Sequence, residues 1–538
     1  NSGALTLGAS GSDSFSFTHG ASVTTPSSIN LAGTLATGTN NALTLGDANT
    51  ALVLTAATTL NSGTGMTTLG GAVSGGYAFT LSGPATLNGG TVNTGNAAQS
   101  YGGAVTLGAD TTLSAGNADV TLSSTINGAY ALTVNSTGAT TLGGAVGGTT
   151  PLTSMTTNAG GTLAINGGSV ATSGAQTYGE AITLGADSTL SASRVTLGAA
   201  VSGAHAFAVN GAATLNGGSV NTGSAAQSYS STVDLGADTT LTASSVTLNG
   251  AVSGAHTFTV NGDTAINGGS VTTGAQSYSG AVTLGAATTL TASGVTFDAA
   301  VSGTSLSVVG TTAINGGSVT TTGAQSYSAA VTLGADTTLT ATGVTFGGAV
   351  SGAHSLDVTG TTAINGGSVN TGSHAQHYAG TVSLGAATTL TASGVTFDAA
   401  VSGTSLAVNG TTTINGVSVT TTGAQSYSGA VTLGAATTLT ATGVTFDAAV
   451  SGTSLAVNGT TTINGGSVTT TGAQSYSGAV TLGADTTLAS TSVVAANAGI
   501  TLSSTLDSAD STTPRALILN SVGATTLGGA VGGIYPLS

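Results

Sequence analysis

The chain has 538 residues, of which 4% are charged, with no cysteine and only two basic residues, Arg194 and Arg515. Its net charge of −15 reflects missing bases more than abundant acids. Almost nothing is available to neutralise phosphates, which excludes nucleic-acid binding and a polybasic attachment to anionic lipid. A hydrophobic fraction of 39% argues against a disordered linker, and no run of about 18 apolar residues offers a membrane-spanning helix.

In chain order, residues 1–97 read as irregular amino-terminal solenoid coils. The opening Asn1-Ser2-Gly3-Ala4-Leu5 has no initiator Met, basic segment or apolar segment, and is expected to be a processed start or a fragment. Residues 98–490 read as a regular array. A phrase close to Gln-Ser-Tyr-Ser-Gly-Ala-Val-Thr-Leu-Gly-Ala recurs there, with its tyrosine at Tyr101, Tyr178, Tyr229, Tyr278, Tyr327, Tyr378, Tyr427 and Tyr476. The gaps are 77, 51, 49, 49, 51, 49 and 49 residues. So regular a period means stacking of one unit, not folding around one central core. Residues 491–538 read as a variant cassette: Ala524–Leu537 repeats Ala139–Leu152 almost letter for letter and stops in mid-repeat. The chain is expected to be a segment of a longer protein, or to have its ends covered by a neighbour.

The unit from Val431 to Val480 sets the fold expectation. Thr432-Leu433-Gly434, Thr445-Phe446-Asp447 and Thr462-Ile463-Asn464 each end an apolar-Thr-apolar strand in a residue that tolerates a sharp corner. The spacings from Leu433 are 13, 17 and 19, reaching Leu482. Alternation places Val, Leu, Ile and Phe inward and Thr or Ala outward. The prediction is an all-β parallel β-solenoid (β-helix) with about three coils per 49-residue repeat, roughly 14 Å per repeat and a rod on the order of 150 Å. A two-coil phasing of about 24 residues per turn is the alternative. The two extra residues of the 51-residue units fall just before Gln227 and Gln376, at a corner expected to be exposed.

Candidate sites are few. His205, His256 and His354 share one repeat position and exchange with Thr, which predicts a solvent-facing corner. His374 and His377 are closer together but have no cysteine or nearby carboxylate in sequence, so no metal site is expected. Two aspartate columns, Asp110, Asp187, Asp238, Asp336 and Asp485, and Asp298, Asp398 and Asp447, lack the spacing of a calcium-binding solenoid and read as corner residues capping backbone N–H groups. With one glutamate, Glu180, and no repeated Ser–His–Asp arrangement, no enzyme, cofactor or metal is predicted. The tyrosine column is the one candidate for recognition, since aromatics stack on sugars and anchor interfaces. The preferred reading places those rings in a corner of the core.

Units such as Gly472-Ala-Gln-Ser-Tyr-Ser-Gly-Ala-Val-Thr-Leu-Gly-Ala-Asp-Thr-Thr-Leu488, and the stretch Thr149–Gly161, resemble the β-strand repeats of filamentous-haemagglutinin-like exoproteins. The resemblance covers about residues 60 to 538. It implies a right-handed parallel β-helix displayed outside a Gram-negative cell as an adhesin or biofilm component, through two-partner or autotransporter-type secretion. It carries over no functional residue, and neither an amino-terminal secretion domain nor a carboxy-terminal membrane barrel is recognisable. Absence of cysteine in a Thr/Ser/Gly/Ala-rich chain fits the same setting. The functional expectation is a structural cell-surface rod contributing to adhesion, aggregation or a biofilm matrix. Its expected partners are further copies, end to end or side by side, other cells and surface glycans. The alternatives are a homopolymeric filament or sheath with a mechanical role and, more distantly, an ice-binding solenoid built on Thr runs such as Thr460–Thr462 and Thr469–Thr471. The uneven 13, 17 and 19 spacing argues against a lattice-matched face.

Overall fold

The computed structural model describes residues 3–538. It divides into two compact units, the first ending at Gly274 and the second spanning Ala275–Ser538. Each is a parallel β-solenoid, consistent with a right-handed parallel β-helix. Among the described residues the only helical element is a 3-10 turn, Ala495–Asn497.

The second unit shows how the sequence builds a coil. Between Val431 and Tyr476 the inward positions come in pairs separated by one outward residue. These are Val431 and Leu433, Thr437 and Leu439, Val444 and Phe446, Val450 with Gly452, Leu455 and Val457, Thr461 and Ile463, Val468 and Thr470, and Gln474 and Tyr476. Strand alternation places their side chains over the axis and leaves Thr432, Ser451 and Thr469 outside. Each turn uses three such pairs: Phe446 lies under Ile463, with the Val450 and Leu455 segments between them along the chain. Turns in the repeats of this unit, up to Leu488, are 17 to 21 residues long, from Phe446 to Ile463 at the short end to Val369 to Leu390 at the long end.

One 49-residue repeat therefore supplies eight segments to a three-sided coil, two and two-thirds turns, close to the three expected from spacing. The difference is located at Leu433. From Phe446 to Ile463 and from Ile463 to Leu482 are full turns in register, but Leu433 stacks between Ile414 and Gly452 on the next side. The 13-residue step is two-thirds of a turn. A ladder that starts at Val331 climbs through Val350, Val369, Leu390, Val408, Tyr427, Phe446 and Ile463 to the strand Val480–Leu482. That strand has the repeat position of Val331–Leu333, three repeats later. Each side of this unit thus runs through all eight segment types.

Narrowness is enforced at the fourth segment. Gly452 has φ +140, and a Cβ there would lie 2.2 Å from the carbonyl oxygen of Leu433 one coil below. Only glycine allows the chain to turn this close over its neighbour.

The first unit is built alike, with longer and less regular coils. One ladder runs Ile29, Leu52, Val73, Val92, Leu113 and Val134, then Thr157, Tyr178 and Leu197. The cassette Ala139–Leu152 is sealed by the coil after it: Leu142 pairs with Ile165, and Val146 bridges Ile126 and Val170. In both units the interior is a continuous stack of Val, Leu, Ile, Phe and Tyr. Each fully buried side chain of this size contributes about 1.5–3 kcal/mol.

Candidate functional site

All eight repeat tyrosines are fully buried. The recognition column Tyr101, Tyr178, Tyr229, Tyr278, Tyr327, Tyr378, Tyr427 and Tyr476 is therefore corrected to a core column, because no ring face is open to a sugar or a partner. Each hydroxyl donates to the Oε1 of the glutamine two residues earlier, at 2.8–3.2 Å. That glutamine is buried too, and its Nε2 ties segments together: in Gln425 it faces the Val419 carbonyl at 3.0 Å, Thr421 Oγ1 at 3.2 Å and the Thr440 carbonyl of the next coil at 3.1 Å. Burial pushes the phenols above their ordinary range. The Gln-x-Tyr phrase is structural: it satisfies corner carbonyls that would otherwise be orphaned inside the solenoid.

The first aspartate column caps as expected. Asp110, Asp187, Asp238, Asp336 and Asp485 each accept from a backbone N–H of the following coil, at 2.8–2.9 Å. These bonds hold the Asp238 and Asp336 carboxyls below their usual range. The second column differs. Asp298, Asp398 and Asp447 accept from side-chain amides, those of Asn315, Asn415 and Asn464, at 2.7–2.8 Å.

The histidines are not isolated. Nδ1 of His205, His256 and His354 lies 3.5–3.7 Å from Asp187, Asp238 and Asp336, respectively. His374 places its ring 6.0 Å from that of His354. The reading that His377 has no nearby carboxylate is corrected: stacking supplies two. Its Nδ1 is 2.8 Å from Asp357 Oδ1, on the coil below, and its Nε2 is 2.7 Å from Asp398 Oδ2, on the coil above. The partners lie 20 and 21 residues away, one turn in each direction, so only the coil length could have revealed them.

Glu180 is the lone glutamate of the chain, and nothing around it in the sequence marks it as buried. Its residue is 2% exposed, neither carboxyl oxygen has a hydrogen-bond partner, and it packs against Gly161 of the coil below. Burial pushes the carboxyl up to about 7. Among the described residues no group of three or more His, Cys, Asp or Glu is placed to hold a metal ion. An open polar groove lined by Thr453, Ser454, Thr471, Gly472, Ser492 and Asn497 runs beside the 3-10 turn. No family model, curated protein or solved structure matches this chain.

Proposed function

We propose that this chain is a non-enzymatic, structural β-solenoid of a bacterial cell surface, contributing to adhesion, aggregation or a biofilm matrix through contacts with other cells and surface glycans. The observation that carries this reading is the distribution of segments in Ala275–Ser538. Because eight segment types are shared among three sides, the outward Thr, Ser, Asn and Ala are spread evenly around the coil instead of being gathered at one cleft. Such a surface suits many weak, repeated contacts, whose avidity grows with number. The same spreading works against an ice-binding role, which needs one uniform face. The test is to display the chain on a non-adherent Gram-negative host and measure attachment and autoaggregation. Increased attachment is expected; attachment equal to that of the empty host would overturn the role.

A homopolymeric filament is the second reading, favoured by the low charge: with 4% charged residues there is little repulsion between copies packed side by side. Electron microscopy of the purified chain separates the readings: ordered fibres favour the filament, discrete particles the adhesin.

A further inference from the structure

We propose that Asp357, His377 and Asp398 form a proton-operated clasp across three successive coils of the second unit, closed when the imidazole is protonated and released when it is not. Both ring nitrogens lie at hydrogen-bonding distance from carboxylate oxygens, 2.8 Å to Asp357 and 2.7 Å to Asp398. An ionised carboxylate only accepts, so both nitrogens must donate, and only the imidazolium does that. A neutral ring keeps one donor and turns a lone pair toward the other carboxylate.

The sequence supports a paired origin. Every other Gln-x-Tyr strand has Ser or Thr at the position of His377, as at Ser326 and Ser426. At the position of Asp357 the neighbouring repeats have Ser307 and Ala407. The two exceptional residues occur one coil apart and meet.

The groups facing the ring are Asp357 from the strand Leu356–Ile364 and Asp398 at the end of Thr388–Phe397. Asp398 is itself held by the Asn415 amide at 2.8 Å, and His377 is in register with the neutral Thr396. Asp336, His354 and His374 contact one another as a separate cluster. The hydrogen bond the ring donates to Asp398, then that to Asp357, raises the histidine above its ordinary range against the effect of burial. The Asn415 and His377 bonds hold Asp398 below its own. The sign follows. A raised histidine stabilises fully below its unfolded value of about 6.5, and that contribution is lost as pH rises through its folded value. At the acid end it is lost as Asp398 protonates.

Histidine-selective NMR of the full chain measures the His377 midpoint, and hydrogen exchange reads protection factors for peptides covering 376–397. In the wild type the midpoint is expected above that in the Asp357→Asn, Asp398→Asn double variant. Protection is expected to fall roughly two- to fivefold as pH crosses it, the range for a partly exposed ion pair. His377→Gln should fold and show protection independent of pH over that interval. Equal midpoints in wild type and double variant, or the same pH-dependent loss in His377→Gln, would overturn the clasp.

Discussion

Tyr427 and Phe446 lie one directly over the other on successive coils, their ring centroids 5.7 Å apart and their planes 17° from parallel. The same contact recurs at Tyr278–Phe297, Tyr327–Phe346 and Tyr378–Phe397, at 5.7–5.9 Å. Offset stacking of this kind adds about 0.5–1.5 kcal/mol beyond the area buried. It also pins the Gln-x-Tyr segment to the Val-Thr-Phe segment, fixing the register of two neighbouring turns.

Phe446→Asp removes that stack and places an unpaired charge in the core, at a cost of about 4 kcal/mol or more. Coils couple mainly to their neighbours, so hydrogen exchange should show lost protection from the strand of Tyr427 to that of Ile463 and little change at Val331. Uniform loss throughout the second unit would count against nearest-neighbour coupling. Phe446→Leu, which keeps an apolar side chain, should cost far less.

Gln425→Ala leaves the Tyr427 hydroxyl without its acceptor and the Val419 and Thr440 carbonyls without their donor. Stranding buried polar groups costs about 1–3 kcal/mol. Thermal or denaturant unfolding should show a loss in that range. A loss below about 0.5 kcal/mol would mean water replaces the amide.

How much of this was legible in the sequence depends on distance along the chain. Val431-Thr432-Leu433 announces its own inward and outward faces, and Asn464-Gly465-Gly466 its own corner, because alternation and turn chemistry act over a few residues. The number of sides does not. The Thr-apolar-corner signature at Leu433 looks the same as those at Phe446 and Ile463, yet it sits on another side, and only pairing between coils distinguishes them. The Asp357–His377–Asp398 contact was hidden for the same reason. The tyrosine column was ambiguous because an aromatic flanked by Ser suits an exposed rim as well as a core; the Gln two residues before it, which accepts its hydroxyl, was the unread signal.

Glu180 makes the first unit sensitive to pH in the direction opposite to ordinary acid unfolding. Its carboxyl is raised from 4.5 to about 7, so the native state holds the proton more tightly than the unfolded chain. Stability is greatest below the unfolded value and declines as pH rises from 4.5 to about 7. Unfolding of the first unit followed across this range should show the decline, and Glu180→Gln should remove it. A wild-type profile that is flat from pH 4.5 to 7 would contradict the burial of an unpartnered carboxyl.

Deleting residues 431–479 joins Ala430 to Val480 and recreates a junction already present in the sequence. The shortened chain should fold. Spin labels at Thr332 and Thr481, eight turns apart on one side, should move from roughly 38 Å to roughly 26 Å apart along the axis, given about 4.8 Å per turn. The second label should also swing to an adjacent side. Labels remaining on one side would require nine segments per repeat.

Near-identical repeats invite unequal exchange between their coding sequences, so such an array gains and loses units easily. With nine segments per unit, every exchange would leave the later part of that array facing as before. With eight, each unit gained or lost turns everything after it by a third of a revolution, and three exchanges restore the original facing. Length variants of this chain would then differ in direction as well as in reach, and a lineage could redirect what it displays without altering a single residue.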